Sequence, residues 1–145
     1  MLANARWNPS VVDTLPKRVI SGLEVIPIKK AFESGEVLWR LRVSDFKECF
    51  QRFESKYPGG INYNFNSEEV NKSIYDWEDQ LWEIFPPEIK ALEGFNLKLF
   101  VDKNGQVFTV EFSIPDEAFQ KLDGFPKNTL KNFYHKLIKE KCEAF

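Results

Sequence analysis

The sequence is poor in the residues that most often build catalytic and metal sites. His135 is the only histidine among 145 residues, and Cys49 and Cys142 are the only cysteines. A single histidine excludes a histidine-rich metal site, and two cysteines so far apart do not fit the CxxC spacing of zinc or redox sites. The phosphate-loop, dinucleotide-binding, nucleophile-elbow and HExxH motifs are also absent. We therefore expect no metal and no cofactor.

An enzyme that uses Cys49 or His135 is the weakest of three functional hypotheses. His135 is predicted on the outer side of a C-terminal helix, and Cys142 follows about 10 Å further along the helix axis. That distance exceeds the roughly 3 Å of a cysteine–histidine hydrogen bond. Cys49 could approach His135 only through the tertiary fold. The sequence favours a non-catalytic protein with two buried thiols, and a disulfide between the two cysteines is the alternative.

Long apolar runs are missing as well. No stretch approaches the ~20 apolar residues that span a bilayer, and the N-terminus lacks the basic and then apolar pattern of a signal peptide. We expect no membrane insertion and a cytoplasmic location for the chain as given; export after removal of a leader is the alternative. The length fits a single soluble domain, residues 1–145.

Charge of neither sign is in large excess. The chain has 20 basic and 22 acidic residues, a net charge of −2, which disfavours nucleic acid as the main partner. The distribution is uneven, however, because residues 66–93 hold eight acidic residues and two lysines, a net charge of −6. Such a segment indicates either a solvated helix face or a surface that selects a basic protein partner.

Apolar periodicity predicts an α+β fold. Apolar residues at 37, 39, 41 and 43 alternate with a second face that holds Leu38, Arg40 and Arg42, which is the period of a half-buried strand. Residues 95–114 show the same alternation on both sides of a tight loop. Helical spacing appears in residues 46–57, 70–84 and 130–141. We predict a single antiparallel sheet of four to six strands with three or four helices packed mainly on one face.

Two features describe the organisation within this domain. Residues 1–17 are predicted to form an N-terminal arm or a short helix, because Pro9 and Pro16 interrupt their weak periodicity. Both halves of the chain show the order strand, glycine turn, strand, helix, and Gly35 precedes Gly105 by 70 residues. This order is compatible with two ββα-like halves that arose either by duplication or from similar local patterns.

Aromatic residues are the one class in excess, with 14 Phe, 4 Trp and 4 Tyr. Most occupy the buried positions of predicted elements, but Tyr75 and Trp82 lie about 120–140° from the centre of the buried stripe on the acidic helix. These rings either pack under the N-terminal arm, against Trp7, or are exposed as a binding hot spot. The exposed arrangement predicts protein–protein interaction, such as that of an inhibitor or immunity-type protein. Its predicted site is Tyr75, Glu78, Asp79, Trp82 and Glu83.

A small-molecule or carbohydrate-binding domain is the alternative function. Between the first two predicted helices, aromatic residues alternate with asparagines, so that side-chain amides lie beside rings. Such a segment could line a pocket for a polar ligand or a sugar. The candidate ligand-binding residues are Tyr57, Asn62, Tyr63, Asn64 and Phe65.

Overall fold

Six β-strands form one antiparallel sheet in the computed structural model, which describes residues 9–56 and 68–143. The strands are β1 Val11–Thr14, β2 Arg18–Ile20, β3 Leu23–Ala31, β4 Val37–Val43, β5 Asn96–Val101 and β6 Val107–Pro115. Their order across the sheet is β1-β3-β4-β6-β5, and β2 also pairs with β3. The predicted α+β class and the single antiparallel sheet are confirmed. β5 forms one edge of the sheet, and β1 and β2 share the other.

Five α-helices accompany the sheet in the described residues. They are α1 Phe46–Lys56, α2 Glu68–Leu81, α3 Pro87–Lys90, α4 Asp116–Lys121 and α5 Thr129–Leu137, with single 3-10 turns after α2 (Trp82–Ile84) and α4 (Leu122–Gly124). The hairpin β3–β4 leads into α1 and the hairpin β5–β6 leads into α4, so two ββα-like units are present. No helix in these ranges is long and apolar enough to cross a bilayer.

The N-terminal residues of the described range add a strand to the sheet edge. Val11–Thr14 pairs with the end of β3, so the alternative of a helix is wrong for these residues. Pro27 lies within β3, opposite Leu41 of β4. β1 pairs with residues 28–31 of β3, and β2 pairs with residues 23–25. Pro27 lies between these two segments, so its missing N–H removes no hydrogen bond from either pairing.

The two hairpin turns have the same hydrogen-bond pattern. In the first, Phe32 N–H donates to Glu36 O and Gly35 N–H donates to Phe32 O; Asp102, Gly105 and Gln106 repeat both bonds in the second. The two turn glycines have φ values of +90° and +82°, which L side chains rarely adopt. The Gly35–Gly105 spacing in the sequence therefore corresponds to a repeated turn structure.

The core lies on one side of the sheet, which we call the covered face. Phe119 of α4 stacks on Trp39 of β4 with ring centroids 4.0 Å apart. Phe133 of α5 packs against Phe112 of β6 at 6.1 Å. Helices α3, α4 and α5 all contribute buried side chains to this cluster, which explains why the alternating apolar residues of β4 and β6 are buried. The strand residues of this face with no exposed surface are Val25, Leu41, Val110, Phe112 and Ile114.

The opposite side of the sheet, which we call the open face, carries the alternate residues of the same strands. α1 contacts one end of it, where Phe46 and Phe50 meet Phe100 of β5 at 5.4 and 5.1 Å. Over the rest of this face no described helix makes such a contact. The expectation that helices pack mainly on one face therefore holds, and α1 is the exception.

Candidate functional site

The five predicted interaction residues form one exposed stripe. Tyr75, Glu78 and Asp79 lie on α2, and Trp82 and Glu83 begin the 3-10 turn that continues it. All five are exposed, and Tyr75 and Trp82 keep 64% and 50% of their surface accessible. Residues three, four and seven apart share one side of a helix, so the two rings lie about 10 Å apart along the axis with carboxylates between them. We call this stripe the acidic helix surface.

The other side of α2 faces the molecule, as its apolar spacing predicts. Leu81 is buried, and Ile74 and Trp77 are half-buried. A proline pair, Pro86 and Pro87, follows the 3-10 turn, and Pro87 starts the four-residue helix α3. The 3-10 turn and the two prolines end the helix, so the exposed stripe ends at Glu83. The alternative that Tyr75 and Trp82 pack against Trp7 involves a residue outside the described ranges.

A groove runs between α2 and the edge strand β5. Its volume is about 440 Å³, and its walls are mostly apolar. Trp82 forms part of the rim and joins the groove to the acidic helix surface. The indole N–H of Trp77 is buried in the groove wall and has no acceptor among the described residues. The main lining residues besides these are Ile74, Leu81, Phe85, Phe95, Leu97, Leu99 and Val101.

The groove was not predicted from the sequence, although its parts were. The apolar alternation of β5 predicts a strand with one buried side. Only the tertiary fold shows that β5 is an edge strand and that α2 lies beside it. Leu97 and Leu99 are consequently half-buried, where the alternation alone indicated a core position.

A second charged surface lies on the open face of the sheet. The carboxylate of Glu111, with only 4% of the side chain exposed, accepts a hydrogen bond from Arg42 Nε at 2.8 Å. Arg40 Nε lies 3.5 Å from its other oxygen. Lys98 is the register partner of Glu111 on β5, and Lys30 lies on β3. Burial and the positive charges of Arg40, Arg42 and Lys98 lower the pKa of Lys30.

The residues of the enzyme hypothesis are not brought together by any described contact. Cys49 is buried, and Arg52 Nη2 donates a hydrogen bond to its sulfur at 3.3 Å. His135 is exposed, and its ring centroid lies 5.9 Å from that of Tyr134. Cys142 is also a buried free thiol, so the described structure has no disulfide between the two cysteines. Within the described ranges, no group of three potential metal ligands is close enough to hold an ion.

The residues of the alternative pocket, Tyr57 and Asn62–Phe65, lie outside the described residues. Comparisons of the chain with protein-family models, with curated proteins and with solved structures give no significant match in any of the three. A functional proposal for this chain therefore depends on its own surfaces.

Proposed function

We propose that this chain is a non-catalytic interaction domain that binds a basic segment of a partner protein through the acidic helix surface. The observation that carries the proposal is the exposure of Tyr75 and Trp82 among carboxylates. The other exposed large hydrophobic residues in the described ranges are aliphatic and lie near the N-terminus: Val11, Val12, Leu15 and Val19. Aromatic rings of this kind dominate binding energy at protein interfaces.

Charge supplies the specificity of the proposed site. The segment 66–93 has a net charge of −6 in a chain whose total is −2, so the remaining residues are net positive. A basic partner would be attracted to this side of the molecule and an acidic one repelled. Trp82 already attracts one cation, since Lys90 Nζ lies 5.4 Å from its ring centroid.

The groove offers a place for the apolar side chains of the same partner. A basic residue could contact Glu78 or Glu83 while its neighbour enters the groove beside Trp82 and Phe85. The unpaired indole N–H of Trp77 would gain an acceptor if a partner carbonyl approached the groove wall. An extended segment of alternating basic and apolar residues fits both surfaces. A small inhibitor or immunity-type protein that masks a basic partner is one form of this function.

A pair of labelled peptides tests the proposal directly. A peptide of alternating lysine and valine should bind, as measured by fluorescence anisotropy, and one of alternating glutamate and valine should not. Binding should weaken when salt is raised from about 50 to about 300 mM, because salt screens the attraction between the carboxylates and the lysines of the peptide. The double variant Tyr75→Ala/Trp82→Ala should lose at least about tenfold in affinity.

The matched control is Val19→Ala, which shortens a side chain that is 60% exposed on β2. It should bind the basic peptide as the parent chain does. Equal binding of the two peptides, or unchanged affinity in the Tyr75→Ala/Trp82→Ala variant with its fold intact by circular dichroism, would contradict the proposed function.

A further inference from the structure

The open face of the sheet carries more positive charge than its own residues neutralise. Four cations, Lys30, Arg40, Arg42 and Lys98, project from three strands around Glu111. Among the described residues, Glu111 is the one carboxylate within ion-pairing distance of any of them. Burial first, and then the positive charges of Arg40, Arg42 and Lys98, lower the pKa of Lys30. An anionic group placed on this face would relieve the repulsion.

The remainder of the open face is suited to apolar contact. Ile26 and Leu38 are half-buried; in the strand register Ile26 is the partner of Arg42 and Leu38 is the partner of Lys30. Next to Lys30 and Arg40 is a shallow cavity of about 880 Å³ with Phe32 in its wall. The expected occupant therefore carries apolar groups as well as carboxylates.

Nucleic acid fits this face less well. Arg42 and Lys98 lie over the rings of Phe46 and Phe100, at 4.9 and 5.3 Å from the centroids. These rings are consequently not available as stacking platforms for bases.

We propose that the open face binds the acidic helix surface of a second copy of this chain, so that copies associate head to tail. This inference rests on the proposed function, because it identifies the basic partner of the acidic helix surface. The two surfaces are complementary in charge, and both include apolar groups exposed to solvent. They also lie on opposite sides of the sheet, since the groove beside α2 is lined by Leu97 and Leu99, which belong to the covered face.

The dimensions of the two surfaces agree. Arg42 and Lys98 lie on either side of Glu111 in one row of the strand register, about 10 Å apart at a strand spacing of roughly 4.8 Å, and Lys30 lies four residues further along β3. The stripe from Tyr75 to Trp82 is about 10 Å long, with carboxylates repeating near the helical pitch of about 5.4 Å. A helix laid along this row would therefore reach both Arg42 and Lys98. Different surfaces join in this contact, so it continues from copy to copy unless a ring closes.

Sedimentation velocity over a range of concentrations tests the inference. At about 50 mM salt the average mass should rise from the 17.0 kDa of one chain to at least twice that value, and it should return to one chain at about 500 mM salt. Lys30→Glu/Lys98→Glu should abolish association, and so should Tyr75→Ala/Trp82→Ala. Neither lysine contributes a described ion pair to Glu111, so the first variant is expected to fold.

Mixing these two monomeric variants gives the sharpest result. Each retains the surface that the other lacks, so the mixture should form dimers and nothing larger. The matched control is Lys127→Glu/Lys131→Glu, which makes the same change in net charge at exposed positions away from the open face, and it should associate as the parent does. A mixture that stays monomeric would overturn the inference.

The inference and the proposed function can fail separately. A parent chain that is monomeric at every concentration but binds the alternating lysine–valine peptide overturns the inference and leaves the proposed function standing. A chain that neither associates nor binds the peptide overturns both. Association that persists in Lys30→Glu/Lys98→Glu, or binding of a single-stranded oligonucleotide to the open face of a monomeric chain, also overturns the inference.

Discussion

The two faces of the sheet are built from alternate residues of the same strands, yet they have different roles. On the covered face, Leu41 and Phe112 are register partners with no exposed surface. One position along, on the open face, the partners are Arg42 and Glu111. The first pair contributes to stability through apolar burial, and the second places a buried carboxylate beside a partly exposed cation. The comparison shows that an apolar, buried pair and a charged pair are separated by a single step in the strand register.

Glu111 shows how the open face holds a buried carboxylate without a covering helix. Its side chain is 4% exposed, while those of Arg40 and Arg42 are 36% and 39% exposed. Long basic side chains cover a neighbour with their aliphatic stems and keep their charged ends in water. Glu111 is therefore a buried carboxylate whose two cationic partners remain partly in water.

The largest effect is expected at the centre of the covered face. Phe112→Ala removes a fully buried ring that packs against Phe95 at 5.6 Å and Phe133 at 6.1 Å, and it should cost about 3–5 kcal/mol of unfolding free energy. Leu38→Ala, on the half-buried open face, should cost about 1 kcal/mol. Urea denaturation measures both. Equal losses would show that the two faces are not energetically distinct.

Glu111→Gln is the corresponding change on the open face. It removes the charge that pairs with Arg40 and Arg42 and leaves both cations near Lys30 without a carboxylate. We expect a loss of about 1–3 kcal/mol, below that at Phe112 because the arginines stay partly solvated. Added sulfate should restore part of this loss. A variant as stable as the parent would mean that Glu111 does not neutralise the cluster.

Much of the fold follows from local patterns in the sequence. The alternation in β4 and β6, the helical spacing of α1 and α5, and the glycine turn before each second strand predict the elements that the structure has. The strand Val11–Thr14 was missed because its four residues are all exposed. A strand that gains its stability from edge pairing rather than burial leaves no alternating pattern to recognise.

The candidate sites also divide into features that local spacing predicts and features that depend on the tertiary fold. The acidic helix surface was predictable because helical spacing places Tyr75 and Trp82 away from the apolar stripe. The neighbouring groove was not, since it depends on which strand forms the sheet edge. The alternation of β4 predicts that Arg40 and Arg42 lie on the polar side of the strand. Only the pairing of β6 with β4 and with β5 places Glu111 between Arg42 and Lys98. Long-range pairing carries this information, and spacing within one segment does not.

A smaller effect, confined to alkaline pH, is expected at Tyr134, where α5 meets the end of the sheet. Burial raises the pKa of its hydroxyl above the usual 10.0. The folded state therefore keeps the proton as pH rises past about 10, while the unfolded chain releases it, so stability present below pH 10 is lost above it. Tyr134→Phe should reduce this alkaline loss of unfolding free energy. Tyr75→Phe, which removes an exposed hydroxyl, is the matched control, and an unchanged loss in Tyr134→Phe would contradict the argument.

The smallest effect on stability is expected on the acidic helix surface. Trp82→Ala removes a ring that is 50% exposed, with Phe85 at 5.0 Å and Lys90 at 5.4 Å as its neighbours. Since half of the ring is already in water, the loss should stay within about 1 kcal/mol, far below that of a core tryptophan. The same variant should bind the basic peptide less tightly than the parent, which separates recognition from folding at one residue. A loss of several kcal/mol would instead place Trp82 among the residues that hold the fold together, and the proposed surface would lose its main contact.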